Sequence, residues 1–205
     1  MIRFTSPFIA AILVVFQLNS QAQSPRKYCD AAEKLVKTND FKGAFENYSK
    51  AIELDAKYEK AYPARALCNE KLGKIQEAIE DYKMAISFDP KNKELYYNTG
   101  RLMASLNQNK EADEMLRKAY ERDKGYVSAL EAEVGVLFKL HDYYYGDVVT
   151  MWLIDAKKTP QNLYNHAVML DSLKNMTEAE RFYRSTKSMD PKFMPAYVSL
   201  ALTEM

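Results

Sequence analysis

Between Ile75 and Asn92 the chain reads IQEAIEDYKMAISFDPKN. Ile75, Ala78, Ile79, Tyr82, Ala85 and Ile86 recur at spacings of three and four, which places them on one face of a helix. Asp89-Pro90 ends it, because proline cannot continue a helix and disfavours the helical conformation in the residue before it. The same signature then returns along the chain. A small residue is followed four on by an aromatic or large apolar residue, three later by another small residue, and five later by a break. It reads Ala44, Tyr48, Ala51, Ala56, then Ala78, Tyr82, Ala85, Pro90, then Ala112, Leu116, Ala119, Lys124, each copy 34 residues after the last. A looser copy is Ala179, Tyr183, Thr186, Pro191.

A second, preceding helix accompanies each copy. It shows an aromatic residue, then three on an apolar or other residue followed by a small one. The third unit reads Tyr96, Thr99, Gly100, Met103, the second Tyr62, Arg65, Ala66, and the first Tyr28, Ala31, Ala32, Leu35. Small residues let two helices approach and the large residue fills the gap beside them. The pattern predicts helices over Arg26–Thr38 and Phe41–Leu54 with a turn at Asn39-Asp40, then turns at Gly73 and around Asn107–Asn109. The fourth unit is degenerate. His141-Asp142-Tyr143 suits its turn, but Gly146 and Thr150 replace the usual small and aromatic pair. Val134, Gly135 and Phe138 suit its first helix best with a shift of one residue. The apolar stretch from Tyr143 to Trp152 predicts a wide packing layer, with a docking patch as the other reading. The fifth unit recovers the pattern with Leu163, His166, Ala167, Leu170 and Asp190-Pro191, and a last helix places Tyr197, Leu200 and Ala201 as another first helix would. That helix is rather apolar for a cap. Either a partner covers it or the chain is part of a longer protein.

A 34-residue period of paired helices resembles the tetratricopeptide repeat (TPR). The resemblance implies an all-α, right-handed superhelical solenoid of helix-turn-helix repeats, because one unit cannot bury its apolar face alone. The units fall near 25–58, 59–92, 93–126, 127–159 and 160–193, with a terminal helix at 194–205. In TPR proteins the inward edge of each first helix lines a concave groove for a peptide or helix. Carried onto this chain, that edge gives Cys29, Glu33 and Lys37, then Lys60, Leu67 and Lys71, then Tyr97, Asn98 and Arg101, then Tyr164, Asn165 and Val168. Asn98 and Asn165 match the family's backbone-binding asparagine. Tyr97 and Tyr164 would supply rigid aromatic contacts and Arg101 a carboxylate partner. The family's clamp for chaperone C-termini needs a lysine and an asparagine where Cys29 and Glu33 stand, so that clamp is not expected.

Composition narrows the function. Net charge is +1 in 205 residues, against the net basic face that general nucleic-acid binding requires. Met1 to Gln21 has Arg3 at its start, an apolar core from Phe8 to Leu18 and small residues before Gln23. It reads as a secretory signal covering 1–22, with 23–205 as the mature TPR domain. Its core is short of the ~20 apolar residues of a membrane span, although a retained anchor is the competing reading. The leader resembles those of exported Bacteroidota proteins, which implies a periplasmic or extracellular location. Asp171-Ser172-Leu173 weakly resembles their O-glycosylation site. Cys29 and Cys68 lie in adjacent first helices. An oxidising compartment makes a disulfide one candidate, and two buried free thiols are the default. His141 and His166 lie far apart, His141 in a turn and His166 at a packing position. Neither a metal-binding His-Glu-x-x-His, a Cys-x-x-Cys pair, a Gly-rich phosphate loop nor a nucleophile elbow occurs. Acidic residues such as Glu178 and Glu180 read as solvated faces. The sequence therefore predicts no catalysis, no cofactor and no metal, and a protein-interaction module or scaffold in the bacterial envelope that holds a protein or peptide segment in the groove. Glycan or cell-wall binding through aromatic platforms is the alternative.

Overall fold

A computed structural model describes residues 24–203. The expected leader therefore lies outside the described residues. Eleven helices and no strand occur among them: α1 (Pro25–Lys37), α2 (Phe41–Leu54), α3 (Ala61–Lys71), α4 (Ile75–Phe88), α5 (Lys93–Ser105), α6 (Asn109–Arg122), α7 (Val127–Leu140), α8 (Tyr143–Ala156), α9 (Pro160–Ser172), α10 (Met176–Met189) and α11 (Met194–Thr203). The fold is all-helical, as the periodicity predicts, and consists of helix pairs of a helical-repeat solenoid. No helix among the described residues is long and apolar enough to cross a membrane.

Two kinds of turn punctuate the array, and both are written in the sequence. Within each pair the chain turns through a left-handed residue at Asn39, Gly73, Asn107, His141 and Lys174. Glycine and asparagine tolerate that conformation best. Between pairs, the second helices α2, α4, α6 and α10 end on an aspartate in or near the extended region, and α8 ends on Lys157. The carboxylates of Asp55, Asp123 and Asp190 accept from the backbone N–H two residues on, at 2.9, 2.8 and 2.9 Å. Side chains also cap starts: Asp40 accepts from Gly43, Asp142 from Tyr145 and Thr159 from Asn162.

The described residues divide into two compact units, one ending at Pro90 and the other beginning at Lys91. In the first, α1 to α4 pack each on the next. Its core gathers Cys29, Ala32, Ala44, Tyr48, Ala51, Ala61 and Cys68, all buried. The alanines bring helices close and Tyr48 fills the gap between them. Cys29 and Cys68 are free thiols in this cluster. Arg65 of α3 crosses to Asp81 of α4, giving Nε to Oδ2 at 2.9 Å and Nη2 to Oδ1 at 2.6 Å. Asn69 adds a third donor to Asp81 at 3.0 Å.

In the second unit α5 to α11 again pack in sequence. Gly100 is needed for the approach of α5 and α6, since a Cβ there would sit 2.8 Å from Leu116 Cγ. The core continues through Leu130, Val134, Leu137, Val149, Leu153 and Met169, and then through Ala167, Leu170, Ala179, Tyr183 and Leu200. The one-residue shift expected in α7 does not occur. Leu130, Glu133, Val134 and Leu137 are buried while Gly135 is exposed, so α7 keeps the register of Tyr96, Thr99, Gly100 and Met103. A buried glutamate at a packing position disguised that register. Gly146 and Thr150 also keep their places in α8, Gly146 against Met169 and Thr150 bonded to His166 at 2.9 Å. The stretch from Tyr143 to Trp152 divides by face. Val149 is buried, whereas Tyr144 is 81 % exposed and Trp152 38 %. In α11, Ala196 and Leu200 pack inward and Ala201 is exposed.

Candidate functional site

A cleft of about 570 Å³ lies between α1 and α3 in the first unit. The helical spacing of α1 brings Arg26, Cys29, Asp30 and Glu33 to its wall. Tyr48 of α2 forms the floor, the segment joining α2 to α3 contributes Lys57, Tyr58, Glu59 and Lys60, and Ala64 of α3 closes it. That segment is fixed locally, because Asp55 accepts from the Lys57 N–H and the hydroxyl of Tyr62 donates to the Ala56 carbonyl at 2.8 Å.

The floor is neutral and the rim is charged. Burial, with Glu33 and Asp30 beside it, pushes the Cys29 thiol up to about 11. Burial likewise pushes Tyr48 up to about 12, and raises Tyr58. A thiol so raised is a poor nucleophile at neutral pH, since the thiolate is the reactive form. Three cations and three carboxylates stand around it, all solvent-accessible except at the base of the cleft. Arg26 and Asp30 make only a long surface pair at 4.0 Å. Such a recess offers desolvated contact area below and charge recognition of both signs above, suited to an extended peptide.

The cleft brings together Cys29, Glu33 and Lys60 of the residues expected along the groove. Lys37, Leu67 and Lys71 are exposed outside it. In the second unit, Tyr97, Asn98 and Arg101 are partly exposed on α5, with the Tyr97 ring edge-on to Tyr126 at 5.4 Å. Four helices further on, Tyr164 packs against Tyr183 and Phe193, and its hydroxyl meets Ser199 at 3.3 Å. Asn165 accepts from Gln161 at 2.8 Å. Sequence reasoning missed Arg26, Asp30, Lys57, Tyr58 and Glu59. The signal for the last three was an aromatic residue flanked by charges, Lys57-Tyr58-Glu59-Lys60, in what otherwise reads as a turn. His141 caps α7 and meets the Tyr143 hydroxyl at 2.7 Å, and His166 is buried. Among the described residues no group of three or more His, Cys, Asp or Glu is placed to hold a metal ion.

Comparisons with known proteins agree with this architecture. The family description "TPR repeat" matches residues 70–107 and "Tetratricopeptide repeat" matches 93–126. Tetratricopeptide repeats are thus identified in the chain. Similar solved structures include YrrB, a TPR protein with an unusual peptide-binding site, at 20% identity and a TM-score of 0.78, covering 90% of this chain and 96% of that one. MamA is similar at 18% identity and 0.75, covering 83% and 94%. A tetratricopeptide repeat protein from Parabacteroides merdae is similar at 19% identity and 0.73, covering 88% and 72%. No curated protein matches. At these identities the likeness shows the fold. Proteins of this fold are generally interaction modules that bind protein or peptide partners and are generally non-enzymatic.

Proposed function

We propose that the chain is a non-catalytic adaptor of the bacterial envelope, exported by a leader at 1–22, whose mature part from residue 23 holds an extended segment of a partner protein. The observation that carries this reading is the cleft of the first unit, with its neutral floor of Cys29 and Tyr48 and its rim of opposed charges. The peptide-binding site named for YrrB lends the class of ligand. The exported location rests on the leader pattern alone. Lys71, Tyr97, Asn98, Arg101, Tyr164 and Asn165 form the competing contact set.

Capture of a partner from envelope extract, followed by calorimetry with the purified partner, tests the assignment. Tyr58→Ala combined with Lys60→Glu is expected to weaken binding at least ~30-fold, since an aromatic anchor and a charge contact are worth about 1 kcal/mol or more each. The Tyr97/Arg101/Tyr164→Ala variant is expected to bind as the parent does. The reverse result moves the site to α5 and α9. A second reading, glycan binding, draws on Trp152, 38 % exposed, stacked on Tyr120 at 5.8 Å with Tyr145 edge-on to it at 6.3 Å. Glycan binding lost in Trp152→Ala would favour it over the peptide.

A further inference from the structure

In the second unit, four buried carboxylate oxygens have no hydrogen-bond partner. Asp147 Oδ1 lies beside His166. The other three, both oxygens of Glu133 on α7 and Oδ1 of Asp113 on α6, share one arginine. Glu133 is 1 % exposed. The nearest cation is Arg117, whose Nη2 meets Asp113 Oδ2 at 2.5 Å while its Nε stays 3.9 Å from Glu133. One guanidinium therefore faces two carboxylates, and it is committed to Asp113. The Arg117 guanidinium also lies over the Tyr145 ring of α8 at 4.6 Å, with the arginine side chain 44 % exposed. The Tyr145 hydroxyl of α8, which burial and then Glu133 push up to about 12, faces Glu133 as a neutral donor. The remaining charge around Glu133 is Glu121 of α6, and Asp142 at the start of α8 acts on Asp113. Both add negative charge. Two ionised carboxylates against a single arginine would leave a net negative charge beside the fully buried Glu133 side chain, which is costly. A proton on one of them removes that charge and supplies the missing donor, because a protonated carboxyl donates an O–H to the other.

We propose that this joint is proton-sensitive: Asp113 and Glu133 hold one proton between them while sharing Arg117, and its loss loosens the packing of α7 against α6 and α8. The transfer is a simple exchange with solvent: the O–H bond breaks, the electron pair stays on the carboxylate and the proton leaves to water. Burial first, and then Asp113, push the Glu133 carboxyl up to about 7, and burial also raises Asp113. The sign follows from linkage. Below the ordinary glutamate range both folded and unfolded chains are protonated, and the contribution to stability is full. Between that range and neutrality the folded chain binds the extra proton, so stability falls as pH rises, and it is flat again above. The apparent value belongs to the pair rather than to either residue.

The test is carboxyl-carbon NMR of the purified chain carrying labelled glutamate, titrated from about pH 4 to about pH 9, beside thermal unfolding across the same range. One glutamate signal is expected to titrate near neutrality, to be absent in Glu133→Gln, and to move toward the ordinary range in Asp113→Asn, where the like charge is gone and Arg117 is released. The stability difference between Glu133→Gln and the parent is expected to shift in favour of the variant as pH rises. That difference cancels other titrating groups such as His166. If every glutamate titrates in the ordinary range, or the stability difference is independent of pH, the proposal is wrong. If Glu133 titrates near neutrality at the same midpoint in Asp113→Asn, burial alone holds the proton and the shared pair is refuted.

Discussion

Arg65 of α3 and Glu133 of α7 occupy the same place in the repeat, 68 residues apart, and their surroundings answer burial in opposite ways. Arg65 meets one carboxylate, Asp81, through two parallel bonds, and Asn69 supplies a third donor. The charges balance and both Asp81 oxygens accept, while Asn69 Oδ1 is left without a partner. Glu133 meets one arginine already bound to another carboxylate, and both its oxygens stay without partners. The lesson concerns counting: the repeat tolerates a polar side chain at this place only if the charges and donors in the neighbouring second helices sum correctly, and in α7 a proton must complete the sum.

The largest effect should come from breaking the balanced site. Arg65→Ala leaves Asp81, whose side chain is 7% exposed, buried without its counter-ion. Removing one partner of a buried pair typically costs about 3–5 kcal/mol. Denaturant unfolding should show that loss, with the transition of the first unit shifted most. A loss no larger than that of an exposed pair such as Glu180–Arg184 would mean that Asp81 relaxes to solvent.

Glu133→Leu should act in the opposite direction. An apolar side chain of similar volume removes the excess carboxylate and leaves Arg117 with Asp113 alone. Removing a buried carboxylate that has no counter-ion of its own should be neutral or stabilising, because its desolvation cost goes with it. The gain should be larger above neutral pH, where the glutamate it replaces is charged, and unfolding midpoints at two pH values would measure it. Destabilisation at both would show that Glu133 is better solvated than its burial implies.

This pair of sites also marks what could be read from the sequence. Apolar spacing, asparagine and glycine turns and the recurring small–aromatic–small signature located the helices, because each reflects a local rule of backbone or packing. In α7 that logic misjudged the register. Val134, Gly135 and Phe138 scored as the inward face because a glutamate normally stays in water, and only the three-dimensional position of Arg117 and Asp113 explains why Glu133 goes inside. The cleft shows a related limit. Cys29, Glu33 and Lys60 were legible from the repeat register. Lys57, Tyr58 and Glu59 were not, because they lie on a connection whose course depends on the Asp55 turn and the Tyr62 hydroxyl.

A third change concerns the residue that follows the polar one. It is Ala66 in α3, Gly100 in α5, Val134 in α7 and Ala167 in α9, all buried. At Gly100 a Cβ would stand 2.8 Å from Leu116 Cγ and 3.1 Å from the Ala112 carbonyl. The carbonyl belongs to the backbone and cannot swing away. Gly100→Ala should therefore lose about 1–3 kcal/mol by overpacking, despite the better helix propensity of alanine, which is worth up to ~1 kcal/mol. Gly146→Ala would meet only the flexible end of Met169 and should cost less. Gly146 belongs to a second helix, so equal costs would show that helix spacing, rather than what the added Cβ meets, sets the penalty at both glycines.

Thr99, between the two charged sites in the repeat order, provides the smallest and cleanest control. It is fully buried, and its hydroxyl donates to the Leu95 carbonyl one turn earlier at 2.7 Å. The donor is satisfied within its own helix, so Thr99 asks nothing of α6. Valine has nearly the same shape and no hydroxyl. Thr99→Val removes a hydrogen bond without leaving an unpaired donor, and the Leu95 carbonyl keeps access to the helix ladder. Its cost should stay below ~1 kcal/mol, within the net worth of one neutral hydrogen bond, and should not vary with pH. Against that baseline, a loss of several kcal/mol at Arg65 and a pH-dependent gain at Glu133 would isolate charge balance as what distinguishes the sites. A Thr99→Val loss as large as that of Arg65→Ala would instead mean that any change at this repeat position disrupts the stack, and the comparison between arginine and glutamate would lose its meaning.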